Sequence, residues 1–198
     1  MCKFPVLLAS LLTTFCLLDD NKKSEPNEPV NQFVCLDGKS FGLKASADRK
    51  ALVLIFVTTD CPIANSYLPQ LSRLQQQFKK SGIDFVMIHE GINQTKNQLL
   101  LHAKEFDVSF AIAMDEDHAI ARSVGATKTP EVCVIGREGQ VLYQGRIDNL
   151  YQAFGKKRST ATRGDLQIAL SEIDSGGSVS LKKTESVGCT ISTKRAAD

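Results

Sequence analysis

Six cysteines are the side chains of this 198-residue chain best suited to covalent chemistry, and Cys61 stands apart among them. It follows the apolar run 51–57 through Thr58-Thr59-Asp60. It precedes a stretch in which Ala64, Tyr67, Leu68, Leu71, Leu74 and Phe78 recur at spacings of three and four. The run reads as a strand covered on both faces and the stripe as an amphipathic helix, so Cys61 falls where one hands over to the other. Asp60 suits the N-cap, and Pro62 is tolerated in a first turn whose N–H groups lack intrahelical partners. A thiolate there meets those N–H groups and the positive end of the helix, worth ~0.3–1 kcal/mol. Such sites lower a thiol pKa from about 8.5 into the range ~3.5–7.5. The chemistry this permits is nucleophilic attack on a peroxide or a disulfide by a sulfur that is held exposed and partly ionised. The charge of Asp60 opposes that ionisation, whereas the hydroxyls of Thr58 and Thr59 can donate to a thiolate or to a bound oxygen. The competing reading is a half-buried cysteine that only packs.

The other cysteines divide by position. Cys2 and Cys16 lie in a segment with one early charge, Lys3, and an apolar run over 4–18 that ends at Asp19-Asp20. Residues 1–20 therefore read as a signal peptide or N-terminal anchor, and 21–30 as a charged linker. A buried element of the domain is the other possibility for 1–20. Cys16 is a conceivable lipid-attachment site, although Phe15 before it is bulky for that role. The expected location is exported, in the cell envelope or periplasm. Cys35, Cys61, Cys133 and Cys189 remain. They are too sparse for a disulfide framework and match no zinc spacing. With His89, His102 and His118 dispersed, no metal and no other cofactor is expected. Basic residues number 24 against 22 acidic ones, a balance that gives no reason to expect a nucleic-acid partner.

The elements that must hold Cys61 follow from periodicity and turn residues. A hairpin is expected over 33–43 around Asp37-Gly38, and strands over 83–88 and 110–114. Helices are expected over 96–106 and 117–124. Strands 131–135 and 140–143 form a closing hairpin, with Cys133 inside the first and Cys35 in the opening hairpin, both read as structural. A polar, basic loop spans 150–162, a last helix 163–173, and a Gly/Ser/Lys-rich flexible tail 175–198 carries Cys189. The order βαβ, helix-rich insertion, ββα defines an α/β domain over 31–174, a central mixed β-sheet flanked by helices. That is the order of the thioredoxin fold.

The run from Phe56 to Pro69, with Thr58-Thr59-Asp60-Cys61-Pro62 at its centre and Leu68-Pro69 in its helix, resembles the active-site segment of thioredoxin-like redoxins. That group includes the alkyl hydroperoxide reductase/thiol-specific antioxidant and peroxiredoxin-like proteins. Gly125-Ala126-Thr127-Lys128-Thr129-Pro130-Glu131-Val132 resembles their cis-proline loop, and 139–148 the following hairpin. The resemblance spans about 31–191. It implies Cys61 as nucleophile, Thr58 as a residue that positions substrate, and a groove shaped by Thr59, Asp60, Pro62, Thr129 and Pro130. Departures are as informative. Ala64 stands where a dithiol oxidoreductase has its second cysteine. Ile55 replaces the proline expected before the peroxide-binding threonine, and no arginine occupies the usual active-site place, leaving Arg122 or Arg146 as substitutes.

A lone reactive thiol needs a resolving partner, and Cys189, in a tail able to reach the helix start, is the best internal candidate. The expectation is a thiol-dependent oxidoreductase. Cys61 reduces peroxide or exchanges with a protein disulfide, and Cys189 or an external thiol reductant resolves. The rival is a non-catalytic thioredoxin-fold module for binding or metal delivery, to which only His89 or His102 could add a ligand. The sequence leaves the oligomeric state open.

Overall fold

The Asp37-Gly38 turn closes a small hairpin of β1 (Gln32–Val34) on β2 (Ser40–Gly42), with Gly38 in the left-handed region at φ 86°. The computed structural model of the chain describes residues 30–44, 49–91 and 93–191. The expected signal or anchor over 1–20 and all but the last residue of the linker lie outside these. Among the described residues no helix is long and apolar enough to cross a membrane.

All seven side chains of β3 (Ala51–Val57) are buried. A strand with no polar face belongs in the middle of a sheet, and β3 sits there. Helix α1 (Pro62–Phe78) leads back through the turn Lys79–Ser81 and Gly82, at φ 71°, into β4 (Ile83–His89). Next come α2 (Lys96–Glu105), β5 (Ala111–Met114) and α3 (Ala119–Val124). Thr95 and Gln98 form a reciprocal capping box at the start of α2. The short β6 (Lys128–Thr129) precedes β7 (Glu131–Gly136) and β8 (Val141–Gly145). The main sheet has the order β5-β4-β3-β7-β8, parallel from β3 to β5 and antiparallel from β3 to β8. It is the mixed sheet expected.

Alternate residues of β3 feed two cores. Val53, Ile55 and Val57 pack with Leu68, Leu71 and Phe78 of α1, and with Leu166 and Leu170 of α4 (Asp165–Asp174). Leu52, Leu54 and Phe56 pack with Ile120 and Ala121 of α3 and with Phe33. Each such side chain contributes about 1.5–3 kcal/mol when fully buried. Pro69 lies inside α1, where it removes one intrahelical donor.

Two segments differ from expectation. The loop over 150–162 contains a second hairpin, β9 (Tyr151–Ala153) against β10 (Lys156–Lys157). The stretch after α4, expected as a flexible tail, is a strap bound to the domain as far as it is described. The Gln144 N–H donates to Lys182 O (2.9 Å), and the Thr184 N–H donates to Gln144 O (3.0 Å). Further on, β11 (Cys189–Thr190) pairs antiparallel with β6, Cys189 opposite Thr129. The strap supplies backbone partners to strands that would otherwise present open edges.

Candidate active site: two sulfurs at the start of the first helix

Pro62 sets the first helical position of α1, because its ring fixes φ near the helical value and its missing N–H is not needed there. Cys61 therefore becomes the N-cap itself, with extended backbone (φ −85°, ψ 105°). Asp60, expected as the cap, is exposed, and no side chain caps the helix. The Cys61 N–H donates to Thr58 O (3.4 Å) and Cys61 O accepts from the Asn65 N–H (3.0 Å).

The Cys61 thiol donates to the Thr129 carbonyl, with Sγ 3.2 Å from the oxygen, and the Thr129–Pro130 peptide bond is cis as expected. Cys189 Sγ lies 3.5 Å from Cys61 Sγ and donates to it. The sulfurs thus form a relay from Cys189 through Cys61 to a backbone carbonyl, and both are free thiols. Cys61 is only 1 % exposed. The expectation of an exposed nucleophile is corrected: the strap covers it, and Cys189 is the exposed residue of the pair. The Cys189 thiol is held above its ordinary value, first by burial and then by its hydrogen bond to Cys61 and the nearby charge of Asp60.

Gly188 makes this contact possible. A Cβ at 188 would stand 2.0 Å from Thr129 O and 2.6 Å from its carbonyl carbon. Gly145, at φ 144°, plays the same part further back, where a Cβ would meet the Thr184 hydroxyl at 2.2 Å. The cis-proline loop is braced from beneath by Glu131, which is 5 % exposed. Its Oε2 accepts from the Thr127 N–H (2.7 Å) and the Lys128 N–H (3.0 Å), and its Oε1 accepts from Gln144 Nε2 (3.0 Å).

The remaining expected residues are partly assembled. Thr59 is anchored, its hydroxyl accepting from Gln94 Nε2 (2.7 Å) and its carbonyl from Asn65 Nδ2 (2.9 Å). Asn65 Oδ1 meets His102 Nε2 at 2.9 Å. Thr58 contributes its carbonyl to the turn, but its hydroxyl makes no hydrogen bond to either sulfur among the described residues. Pro62 is exposed beside the site. The Thr129 hydroxyl is buried without a partner. Neither substitute arginine reaches the sulfur: Arg122 donates to the Asp117 carbonyl, and Arg146 pairs with Asp165 at 2.7 Å. Cys35 and Cys133 are buried in the core, as read. Burial pushes the Cys35 thiol up to about 11 and raises that of Cys133 as well.

His89 and His102 meet edge to face, with ring centroids 5.2 Å apart. Burial and the neighbouring His102 push His89 down to about 3. No three His, Cys, Asp or Glu side chains are grouped to hold a metal ion among the described residues. Glu131, Gly145 and Gly188 were missed from sequence. A glycine beside the tail cysteine was the one visible signal.

The thiol-disulfide oxidoreductase ResA of Bacillus thuringiensis is 25 % identical over 122 residues, covering 62 % of this chain and 67 % of that protein. The crystal structure of a hypothetical protein from Sinorhizobium meliloti superposes with a TM-score of 0.72 at 22 % identity, covering 85 % of this chain and 94 % of that one. A thiol:disulfide interchange protein DsbE from Chlorobium tepidum, described as putative, shares the thioredoxin-like fold at a TM-score of 0.53 and 17 % identity, covering 75 % of this chain and 94 % of that one. The Redoxin family model matches residues 22–161, and with a thiol at the first helix facing the cis-proline loop, the chain belongs to the Redoxin family.

Proposed function

We propose that this protein is a thiol-dependent oxidoreductase in which Cys61 is the nucleophile and Cys189 the resolving thiol. The observation that carries this is the 3.5 Å approach of two free sulfurs at the N-terminus of α1. That separation suits a near-attack arrangement, in which reacting atoms lie roughly 3–3.5 Å apart. With a peroxide, the Cys61 thiolate attacks one oxygen, becomes a sulfenic acid and releases water or an alcohol. Cys189 then attacks the oxidised sulfur, its hydroxyl leaves as water, and an intramolecular disulfide closes. With a disulfide substrate, the same two thiols pass through a mixed disulfide to the same product. The two electrons of reduction come from two external thiol groups, which leave as a disulfide. The family likeness and the ResA relative support the exchange reaction. The likeness of Thr58-Thr59-Asp60-Cys61-Pro62 to the peroxiredoxin core supports the peroxide reaction, in which the Thr58 hydroxyl orients the substrate.

In this reading Thr59, Asp60 and Pro62 form the open rim of the groove, Thr129 and Pro130 are its floor buried beneath the strap, and the protein acts outside the cytoplasm if residues 1–20 direct export. The test is turnover of hydrogen peroxide and of cystine, with intact-mass analysis. Cys61→Ser should abolish consumption of both. Cys189→Ser should stop internal disulfide formation and leave a trapped sulfenic acid or mixed disulfide on Cys61. Unchanged turnover in Cys61→Ser would refute Cys61 as the nucleophile, and no turnover by the parent chain would favour a non-catalytic binding module, the reading that burial of Cys61 supports.

A further inference from the structure

We infer that the cleft beside Cys189 is a docking site for the reductant, and that this reductant is a small carboxylate-bearing thiol. The inference rests on the Cys61–Cys189 couple proposed above.

Two observations define what can reach the couple. The first is steric. The edge of β6 is already paired by β11 in the register Cys189 opposite Thr129, and Gly188 packs against the Thr129 carbonyl. An extended polypeptide cannot add a strand there while the strap is seated, which favours a small thiol over a strand-forming partner. The second is the identity of the accessible sulfur: Cys61 is 1 % exposed, whereas Cys189 is exposed. The incoming thiolate therefore attacks Cys189.

A cleft of about 450 Å³ opens next to it, its lining ending at Gly188, the residue before Cys189; strap residues Glu185 to Gly188 wall one side and the β9–β10 hairpin the other. Its charged lining is Lys128, Arg146 and Arg158 against Glu185. Glu185 is 89 % exposed and lies 3.8 Å from Lys128 Nζ, a solvated pair. Arg146 spends its Nε on Asp165, and Arg158 spends its Nε on the Asn149 carbonyl (3.0 Å). The guanidinium Nη groups make no further hydrogen bonds among the described residues and are available for a carboxylate. Tyr151 and Phe154 line the same cleft, Phe154 being 67 % exposed, which offers an apolar wall for the carbon skeleton. Asp60 is the acidic group whose charge reaches Cys189 from outside this lining.

The step balances as follows. A thiolate RS⁻ attacks Cys189 Sγ of the disulfide, forming RS–S–Cys189 and releasing the Cys61 thiolate. A second RS⁻ attacks the mixed disulfide, giving RS–SR and the Cys189 thiolate. Two small thiols are oxidised by two electrons in all, and both protein thiolates take protons from water.

The experiment starts with the full chain oxidised by diamide, its disulfide verified by intact mass. Reduction by mercaptosuccinate, 2-mercaptoethanol and cysteamine is then timed, each rate divided by the thiolate concentration. The anionic thiol should be faster than the neutral one by about tenfold at low salt, a cleft with three cations against one anion concentrating its counter-ion. The cationic thiol should be slowest, and the advantage should vanish near 1 M salt. Succinate should slow mercaptosuccinate selectively. Arg158→Gln should reduce the anionic-to-neutral ratio, and Arg158→Glu should reduce it to one or below. Equal or reversed rates, or reduction by a polypeptide dithiol alone, would overturn the inference while leaving the oxidoreductase intact. Failure to form the disulfide at all would instead overturn the resolving role of Cys189, and the inference with it.

Discussion

Gly188→Val isolates the contribution of the strap. At this position a Cβ would sit 2.0 Å from Thr129 O, 2.6 Å from its carbonyl carbon and 3.0 Å from Pro130 Cδ. Favourable non-bonded contacts between carbons lie at about 3.5–4.0 Å, so the overlap exceeds an ångström, and it is against backbone rather than a side chain that can swing away. The loop cannot retreat, because Glu131 holds its Thr127 and Lys128 N–H groups from below. The strap must lift instead, breaking the two-residue ladder between β11 and β6 and carrying Cys189 away from its 3.5 Å contact. A displacement of about 1 Å from a reactive geometry can cost 10²-fold, and closure of the disulfide should slow by at least about that factor. The assay is rapid mixing of the reduced chain with one equivalent of hydrogen peroxide, quenching by acid, and mass analysis. The parent should pass directly to the disulfide, whereas the variant should accumulate the species with one added oxygen. Alkylation gives a second readout: Cys189 should label first in the parent, and Cys61 should catch up in the variant. Equal closure rates in the two proteins, both shown folded by circular dichroism, would refute the account of the strap.

Other outcomes follow from particular contacts. Glu131→Ala leaves the Thr127 and Lys128 N–H groups without their carboxylate, which should cost about 1–3 kcal/mol in a urea titration and slow disulfide closure as the loop loosens. Tyr67→Phe removes the 2.6 Å bond to buried Asp148, which keeps Gln70 and the Leu150 N–H as donors; a loss of about 1–3 kcal/mol is expected with little change in closure rate. His89 takes its proton near pH 6.5 when unfolded but only near pH 3 when folded. Between those values the unfolded chain binds the extra proton, so stability is full above pH 6.5 and falls as pH drops, by up to about 1.4 kcal/mol per pH unit. His89→Phe should flatten that slope between pH 7 and 5 in the urea midpoint, since both ring nitrogens are buried without partners. An unchanged slope would place the acid sensitivity elsewhere.

Sequence by itself determined the main elements of the domain and the place of Cys61 between a buried strand and an amphipathic helix. The apolar run 51–57, the stripe from Ala64 to Phe78 and the Pro62 step are local patterns, and local patterns fix a strand, a helix and their junction. The mixed sheet followed from the order of those elements, whereas the cis Thr129–Pro130 bond was expected from the resemblance to the redoxin loop. Tertiary structure decided the rest. Cys61 and Cys189 are 128 residues apart, and no periodicity encodes that they touch. The Gly/Ser/Lys composition of 175–191 reads as unstructured because its partners are edge strands elsewhere in the chain. Their free N–H and C=O groups, with the isolated Val179 and Ile191 buried in the two cores, give it order without a periodic apolar stripe of its own. Burial of Cys61 follows from the same docking. A strap seated through two close glycine contacts closes over the sulfur, which the helix start alone would have left open.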